Sequence, residues 1–205
     1  MIYSKRLVRL FFFISLGIII LIGLAALAAP IVSPYSPTDQ NLEERYGRPG
    51  ENGHLLGTDN FGRDVLSRII HGSRSALLVG IVSVSIAAMM GLFFGLIAGL
   101  NEGWLSETIM LLTDSVLSFP TILLAIAVVT FFGYGLTQVM VAIGIIFSPV
   151  FTRIVRAETL SIKTEGYIES SRALGSRPVK TVFLHFLPNM AAKIVVQCAI
   201  TFALS

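Results

Sequence analysis

The stretch LFFFISLGIIILIGLAALAA, from Leu10 to Ala29, contains no charged residue. A helix needs about 20 consecutive apolar residues to cross the hydrocarbon core of a bilayer, and this stretch meets that requirement. The rest of the chain agrees, because its mean hydropathy is +0.81 and only 13% of its 205 residues are charged. Soluble domains carry about 25% charged residues. We therefore expect an all-α membrane protein.

The first apolar stretch has two interpretations. Lys5, Arg6 and Arg9 precede it, and the sequence ALAAP near residue 28 resembles the cleavage site of a signal peptide. The apolar core of a signal peptide, however, usually has about 7–15 residues. Because this stretch is longer, an uncleaved anchor helix is the favoured interpretation.

Further apolar segments predict a polytopic helix bundle. The predicted additional spans are about Ser75–Leu100, Ile109–Phe132, Leu136–Ile154 and Met190–Ser205. The last has about 16 residues, or roughly 24 Å at 1.5 Å per residue, which is short for a crossing. We therefore expect about five spans and an incomplete C-terminus. Residues 1–74 are interpreted as an anchor helix with an external loop, and residues 75–205 as the core of the bundle.

The distribution of basic residues predicts the orientation. One basic cluster precedes the first span, and the second follows the fourth span. The second cluster consists of Arg153, Arg156, Lys163, Arg172, Arg177, Lys180 and Lys193. Four predicted crossings separate the two clusters, so both lie on one side, which the positive-inside rule makes cytoplasmic. We therefore expect a multi-pass protein of the inner membrane with a cytoplasmic N-terminus and an external loop between spans one and two.

A polar stretch, TEGYIESSRALGSRPVKTVFLHFLPN from Thr164 to Asn189, interrupts the apolar segments. Thr164 is a plausible N-cap, and Gly175 suits the left-handed position that ends a helix. Ser176 can cap a second helix, and Pro178 is tolerated in its first turn. Pro188 is predicted to end that second helix.

Both predicted helices have an apolar face. The first face contains Tyr167, Ile168, Ser171 and Leu174, and the second contains Val179, Val182, Phe183 and Phe186. Helical spacing places each set on one side. Two interpretations remain open from periodicity alone: a helix lying on the lipid surface, or a docking element for a cytosolic partner.

A glycine-rich motif precedes span two. Gly57, Gly62, Arg63 and Asp64 have the spacing of a phosphate-binding loop, but the lysine and the Ser or Thr of that loop are absent. Nucleotide binding is therefore rejected. The motif, which also includes Thr58 and Asp59, is interpreted as a turn that enters a short helix from Asp64 to about His71. The alternative is an external gate or a contact for a binding protein.

Some residues within the spans are candidates for packing or for a transport pathway. Asp114 is the one acid inside a predicted span, and Pro120 follows it as a possible kink, as does Pro149 in span four. An interhelical hydrogen bond and a place along the pathway remain equally open for Asp114. Gly91, Gly95 and Gly99 favour close helix packing. His54, His71 and His185 are scattered and Cys198 is the single cysteine, so no metal site or other cofactor is expected.

Two motifs resemble one family. The segment YIESSRALGSRPVKTVFLHFLPN resembles the EAA motif of binding-protein-dependent ABC transporter permeases, with matches at Glu169, Gly175, Leu187 and Pro188. Ser170 and Ser171 replace the two alanines of that motif. The segment HLLGTDNFGRDVLSRIIHGSRSALLVG, from His54 to Gly80, is similar to the signature of the C-type subunits of dipeptide, oligopeptide and nickel importers. The resemblance covers nearly the whole chain and implies a MetI-like fold with six spans.

The resemblance also implies a mechanism. Such a permease performs no chemistry itself. It pairs with a second permease subunit, receives peptide or nickel from an external substrate-binding protein, and is driven by two cytosolic ATP-binding subunits. Those ATPases grip the EAA loop, here about residues 157–189. The residues implied to couple to them are Tyr167, Ile168, Glu169, Ser170, Ser171, Arg172, Ala173, Leu174, Gly175 and Pro188.

Three other functional classes are less well supported by the sequence. A secondary transporter driven by protons or ions would require charges near mid-membrane, and Asp114 alone gives little support. A membrane enzyme would require converging polar groups within the spans, and a plain anchor subunit would not need the polar stretch. The net charge of +3 is too small to indicate nucleic-acid binding.

Overall fold

The computed structural model describes residues 5–205, without the side chains of Lys5, Arg6, Val8, Phe12 and Arg172. The described chain is helical and has no strand, only an isolated bridge between Thr58 and Asp64. Its α-helices are α1 (Lys5–Leu27), α2 (Ala29–Val32), α3 (Val65–Leu100), α4 (Trp104–Leu117), α5 (Thr121–Phe132), α6 (Leu136–Lys163), α7 (Gly166–Ala173), α8 (Pro178–Thr181) and α9 (Leu187–Leu204). The chain divides into two compact units, residues 1–78 and 79–205.

Four helical segments of the described chain are long and apolar enough to cross a membrane, and a bent pair of helices makes a possible fifth. The four are Arg9–Leu27, Val65–Leu100, Leu136–Lys163 and Pro178–Leu204. The predicted all-α polytopic fold is therefore confirmed. The limits of the spans differ from the predicted ones in ways that have physical causes.

The third predicted span, Ile109–Phe132, is not one straight helix. Helix α4 begins earlier, at Trp104, and α5 leaves it at an angle of 98°. Pro120 lies at the break in an extended conformation, with ψ at 126°. Proline has no N–H to donate and disfavours a helical conformation of the preceding residue, so the helix ends before it. The predicted kink at Pro120 is therefore a sharp break.

Helix α3 is longer than the second predicted span. It runs without interruption from Val65 to Leu100, so the separate short helix predicted from Asp64 to His71 is wrong. Helix α6 likewise extends past Ile154 to Lys163. It passes through Pro149, whose missing N–H frees the carbonyl of Ile145. The hydroxyl of Ser148 donates to that carbonyl at 2.9 Å, which satisfies it.

The glycine stripe of α3 packs directly against α6, as predicted. A Cβ atom on Gly95 would lie 2.6 Å from Cβ of Val155, and one on Gly99 would lie 2.5 Å from Cβ of Thr159. Gly91 is equally close to Phe151. Real Cβ contacts almost never fall below 3.0 Å. Only glycine therefore allows this approach, and the two helices form a tight seam within the second unit.

Pro188 does not end a helix, which corrects the prediction. The chain from Pro178 to Leu204 is one continuous helical segment in which α8 passes through a π-helical turn, Val182–Phe186, into α9. In that turn the N–H of Leu187 donates to the carbonyl of Val182, five residues earlier. Wider turns of this kind relieve the clash between a proline ring and the preceding turn, so the helix continues through Pro188.

Candidate functional site

Helix α7 connects α6 to the corner at Gly175. Its first turn is closed at Glu165, whose carbonyl accepts from the N–H of Ile168 at 2.9 Å. Thr164 instead lies at the C-terminus of α6, where its hydroxyl donates to the carbonyl of Ser161 at 2.8 Å. The prediction of Thr164 as N-cap is therefore wrong, because its side chain satisfies the preceding helix.

The corner itself has the predicted left-handed glycine. Gly175 has φ at +78°, and the N–H of Ser176 donates to the carbonyl of Ser171 at 3.1 Å. This hydrogen bond is the one that closes a helix in a Schellman motif. Pro178 lies in the first turn of α8, as predicted, but the N-cap is Arg177, so the predicted cap at Ser176 is wrong.

One residue of α7 fixes this helix to the bundle. Ile168 is fully buried and belongs to the same apolar cluster as Val155, Ile162, Phe186 and Met190. The cluster joins α6, α7, the π turn and α9, so a displacement of α7 must act on both long helices. Burial of one isoleucine side chain contributes about 1.5–3 kcal/mol to this attachment.

Tyr167 makes a second attachment between α7 and α9. Its hydroxyl accepts from the side-chain amide of Asn189 at 3.2 Å, and its ring lies 5.7 Å from the ring of His185. The ring and hydroxyl together explain why this residue is only partly exposed. The α7 helix is thus held at its N-terminal end.

The C-terminal end of α7 and the corner beyond it expose apolar side chains. Leu174 is 87% exposed, and Val179 and Phe183 are also largely exposed. The predicted apolar faces are therefore divided: Ile168 and Phe186 face the bundle, whereas these three residues face outward. The other predicted coupling positions Glu169, Ser170, Ala173, Gly175 and Pro188 are exposed, and Ser171 is half-buried. The side chain of Arg172, another predicted coupling position, lies outside the described part of the structure.

The same end of the bundle has polar links between helices. The ammonium of Lys163 lies 2.7 Å from a carboxylate oxygen of Glu102, and Lys193 lies 2.5 Å from Glu158. The pKa of Glu102 is lowered by its hydrogen bond and charge interaction with Lys163. These contacts tie the loop before α4 to the end of α6, and α6 to α9.

Hydrogen bonds and ion pairs link the residues of the 33–64 loop to one another. Asp59 accepts from the backbone N–H groups of Phe61 at 2.8 Å and Arg63 at 3.0 Å. Its other oxygen accepts from the guanidinium groups of Arg63 and Arg68. Burial opposes the ionised form of Asp59, but the hydrogen bonds from Arg63 outweigh it and hold the pKa of Asp59 well below its usual range.

Asp64 is the most deeply buried charge of this loop. One oxygen accepts from the N–H of Ser67 at 2.7 Å, which caps the start of α3, and the other lies 2.8 Å from Nδ1 of His54. His54 is itself buried, and its Nε2 lies 3.3 Å from a carboxylate oxygen of Glu44. The hydrogen bond with Asp64 raises the pKa of His54. Burial opposes ionisation of Asp64, but the bonds from Ser67 and His54 lower its pKa.

The two motif glycines stand where a side chain has no room. Gly57 and Gly62 have φ at +75° and +71°, and an added Cβ would collide with the carbonyls of Gly47 and Asn41 respectively. Thr58 accepts from the N–H of Gly47 at 2.8 Å and donates to the carbonyl of Glu44. The polar groups of the motif are thus engaged within the loop. The contacts of His54 with Asp64 and Glu44 were not predicted from the sequence. The cap that Asp64 makes with Ser67 was also not predicted, but its spacing of three residues is a capping pattern visible in the sequence.

Asp114 of α4 lies beside a basic residue of α6. One carboxylate oxygen of Asp114 accepts from the guanidinium of Arg153 at 2.7 Å and 3.3 Å. Both side chains remain about half exposed, at 51% and 54%. Arg153 was assigned from the sequence to the basic segment after span four. Because α6 extends to Lys163, it lies instead within the helix and pairs with α4.

These features define a class, a polytopic α-helical membrane protein with a polar helical corner between two long helices. Residues 91–205 match the family model for the inner membrane component of binding-protein-dependent transport systems, and the chain belongs to this family. Residues 11–49 match the N-terminal transmembrane domain of oligopeptide transport permease C. The resemblance identified from the sequence is thereby confirmed.

Named relatives agree with the family. The chain is 39% identical to the glutathione transport system permease protein of Pectobacterium atrosepticum, over 95% of this chain and 65% of that protein. It is 38% identical to the di/tripeptide transport system permease protein of Pseudomonas aeruginosa, over 90% of this chain and 62% of that protein. It is also 38% identical to the dipeptide transport system permease protein of Alkalihalophilus pseudofirmus, over 91% of this chain and 62% of that protein. The chain spans less than two thirds of the length of these relatives.

Proposed function

We propose that this chain is a permease subunit of an ATP-driven importer that moves short peptides across the cytoplasmic membrane. The names of the relatives support peptides or glutathione as the substrate class. Nickel, the other substrate suggested by the resemblance, has less support, because the three relatives described above are named for glutathione or peptides. The chain acts with a second permease subunit, two cytosolic ATP-binding subunits and an external substrate-binding protein.

The EAA loop, residues 157–189, is the site at which the ATPases act. The observation that carries this proposal is the unequal exposure of its short helix: Ile168 is buried in the bundle, while Leu174 is 87% exposed at the corner. Large exposed apolar groups next to a rigid attachment are typical of an interface. A groove of one ATPase receives Leu174 and its exposed neighbours, and Ile168 transmits the movement to α6 and α9.

The basic residues that surround this loop support a cytoplasmic location for it. The N-terminus lies on the same side if the bent α4–α5 pair crosses the membrane, and on the opposite side if the pair re-enters. We propose the crossing arrangement, which agrees with the basic residues Lys5, Arg6 and Arg9. The 33–64 loop then lies outside, where its closed hydrogen-bond network orders the entry into α3.

Replacement of Leu174 by aspartate tests the coupling site. A charge at this corner cannot be desolvated in an apolar groove, so we expect peptide uptake to fall by at least about tenfold, the effect of a loss of about 1.4 kcal/mol. Uptake and ATP hydrolysis are measured together in vesicles that contain the assembled importer. Folding is unaffected, because Leu174 touches solvent in this chain.

Leu42→Asp provides the matched control. Leu42 is a 61% exposed leucine in the 33–64 loop, and the same substitution there leaves transport unchanged. Normal ATP-coupled uptake by the Leu174→Asp variant would show that the EAA loop is not the coupling site. Uptake that follows a proton or ion gradient without ATP would favour the secondary-transporter alternative.

A further inference from the structure

One face of α4 carries most of the exposed polar residues of this helix. Glu107, Thr108, Asp114, Ser115 and Ser118, the residue that follows the helix, are all exposed, and the spacing of seven residues from Glu107 to Asp114 and from Thr108 to Ser115 places these pairs on one side. Leu111 is the single apolar member of this face between Glu107 and Ser118. A lipid-facing surface of a spanning helix is apolar, so this polar face, here called the α4 stripe, must face water or protein.

The charged pair of the stripe lies far from the helix ends that carry Trp104 and Lys163. Asp114 is ten residues after Trp104, the first residue of α4, which is about 15 Å at 1.5 Å per residue. Arg153 is ten residues before Lys163, the last residue of α6, and so lies about 15 Å from that end as well. The pair is therefore set back from the loops that join these helix ends.

The exposure of this pair separates it from the other links between helices. Glu158, which pairs with Lys193, is only 17% exposed, and Lys163, which pairs with Glu102, is 20% exposed. In the Asp114–Arg153 pair both partners are about half exposed, so each retains hydrogen-bonding capacity that the other does not use. A guanidinium has five donors, and only two are engaged here.

We propose that the α4 stripe lines the translocation pathway and that Asp114 and Arg153 bind the charged termini of the peptide. This inference rests on the proposed function. The carboxylate of Asp114 pairs with the ammonium of the peptide N-terminus, and the guanidinium of Arg153 binds its C-terminal carboxylate in the bidentate manner that arginine favours. The hydroxyls of Ser115 and Ser118 donate to the carbonyls of Leu111 and Asp114, so their oxygens remain free to accept from peptide N–H groups. Such bonds to the peptide backbone suit a pathway for peptides of varied sequence.

Thiol labelling of the assembled importer tests the pathway. In a Cys198→Ala background, Ser115→Cys and Ser118→Cys are exposed to a charged thiol reagent, and Met89→Cys on α3 is the matched control. Met89 is 71% exposed in this chain but lies among apolar neighbours. We expect the two stripe positions to react at least about tenfold faster than the control, because only a thiol in contact with water ionises readily. Equal rates would overturn the proposal.

Protection of the thiol from labelling by a bound peptide tests whether the charged termini of the peptide are recognised. Alanyl-alanine, supplied with the binding protein, should slow labelling of Ser115→Cys, whereas the N-acetylated, C-amidated dipeptide should not. Asp114→Asn and Arg153→Gln should each remove this protection, while Glu158→Gln at the α6–α9 pair should retain it. If Asp114→Asn does not assemble, the double variant Asp114→Arg with Arg153→Asp is used instead. A double variant that assembles but is not protected by the peptide supports the proposal. A double variant that is protected by the peptide overturns it.

The same vesicles separate the two proposals. ATP-driven uptake of alanyl-alanine by the unmodified importer establishes the proposed function independently of the stripe. If vesicles import the peptide but neither Asp114→Asn nor Arg153→Gln reduces the protection of the thiol by peptide, the inference about the stripe is overturned and the proposed function stands. An importer that neither takes up nor is protected by alanyl-alanine overturns both.

Discussion

Gly62 and Gly175 have almost the same backbone conformation, with φ at +71° and +78°, but very different surroundings. A side chain on Gly62 would collide with the backbone of Asn41, whereas nothing lies within 4 Å of a Cβ on Gly175. The 33–64 loop is closed on itself, and the EAA loop is open at its corner. The comparison teaches that two polar regions with similar turn chemistry can differ in packing: one satisfies its own polar groups, and the other leaves apolar side chains exposed.

The largest expected effect is that of Gly62→Ala. The methyl group requires the backbone of Asn41 to move and adds the penalty of a left-handed conformation, so we expect a local destabilisation of more than about 3 kcal/mol. Gly175→Ala, the matched control, meets only the conformational penalty of about 1–2 kcal/mol. Hydrogen exchange of the amides of Gly47 and Thr58 measures the first effect. Equal losses of amide protection in the two loops would show that Gly62 and Gly175 do not differ in their surroundings as described.

A smaller effect is expected for Asp64→Asn. The amide cannot accept with equal strength from both Ser67 and His54, so the cap of α3 and the contact with His54 are weakened by about 1–3 kcal/mol. Glu169→Gln in α7 is the control, because Glu169 is exposed and its neutralisation changes stability by less than about 0.5 kcal/mol. Thermal unfolding in detergent and hydrogen exchange near residue 67 compare the two variants. An unchanged exchange rate in Asp64→Asn would contradict the assigned cap.

The smallest expected effect is a pH dependence confined to the 33–64 loop. The pKa of His54 is raised in the folded loop above its ordinary value of 6.5, so its contribution is fully present below pH 6.5 and is lost as the pH rises through the raised pKa. Amide protection should therefore fall as the pH rises above 6.5 through the raised pKa of His54. His54→Gln, which cannot titrate, should remove this dependence. An identical pH profile in that variant would show that another group is responsible.

Features that depend on nearby residues could be predicted from the sequence. The spans follow from apolar length, the corner follows from Gly175, and close packing on one face of α3 follows from the spacing of Gly91, Gly95 and Gly99, although α6 as the partner helix did not. Each of these depends on composition or on a period of three to four residues. The cap assignments at Thr164 and Ser176 failed by a single position, because neighbouring hydroxyls and carbonyls compete for the same hydrogen bonds.

Features that depend on distant partners could not be predicted. His54 meets Asp64 and Glu44 across ten residues on either side, and Arg153 meets Asp114 across 39 residues. No periodicity connects such pairs. The angle of 98° at Pro120 is also set by packing of α5 on the bundle, and proline alone indicates only that a break is possible.

The continuity of the helical segment from Pro178 to Leu204 has a mechanical consequence. Because the segment contains no break, a movement of its first turn reaches its last turn through one helical rod. The π turn at Val182–Phe186 is the one wide coil along this rod. It is therefore the place where the rod can rotate or shorten by a fraction of a turn while its ends remain helical.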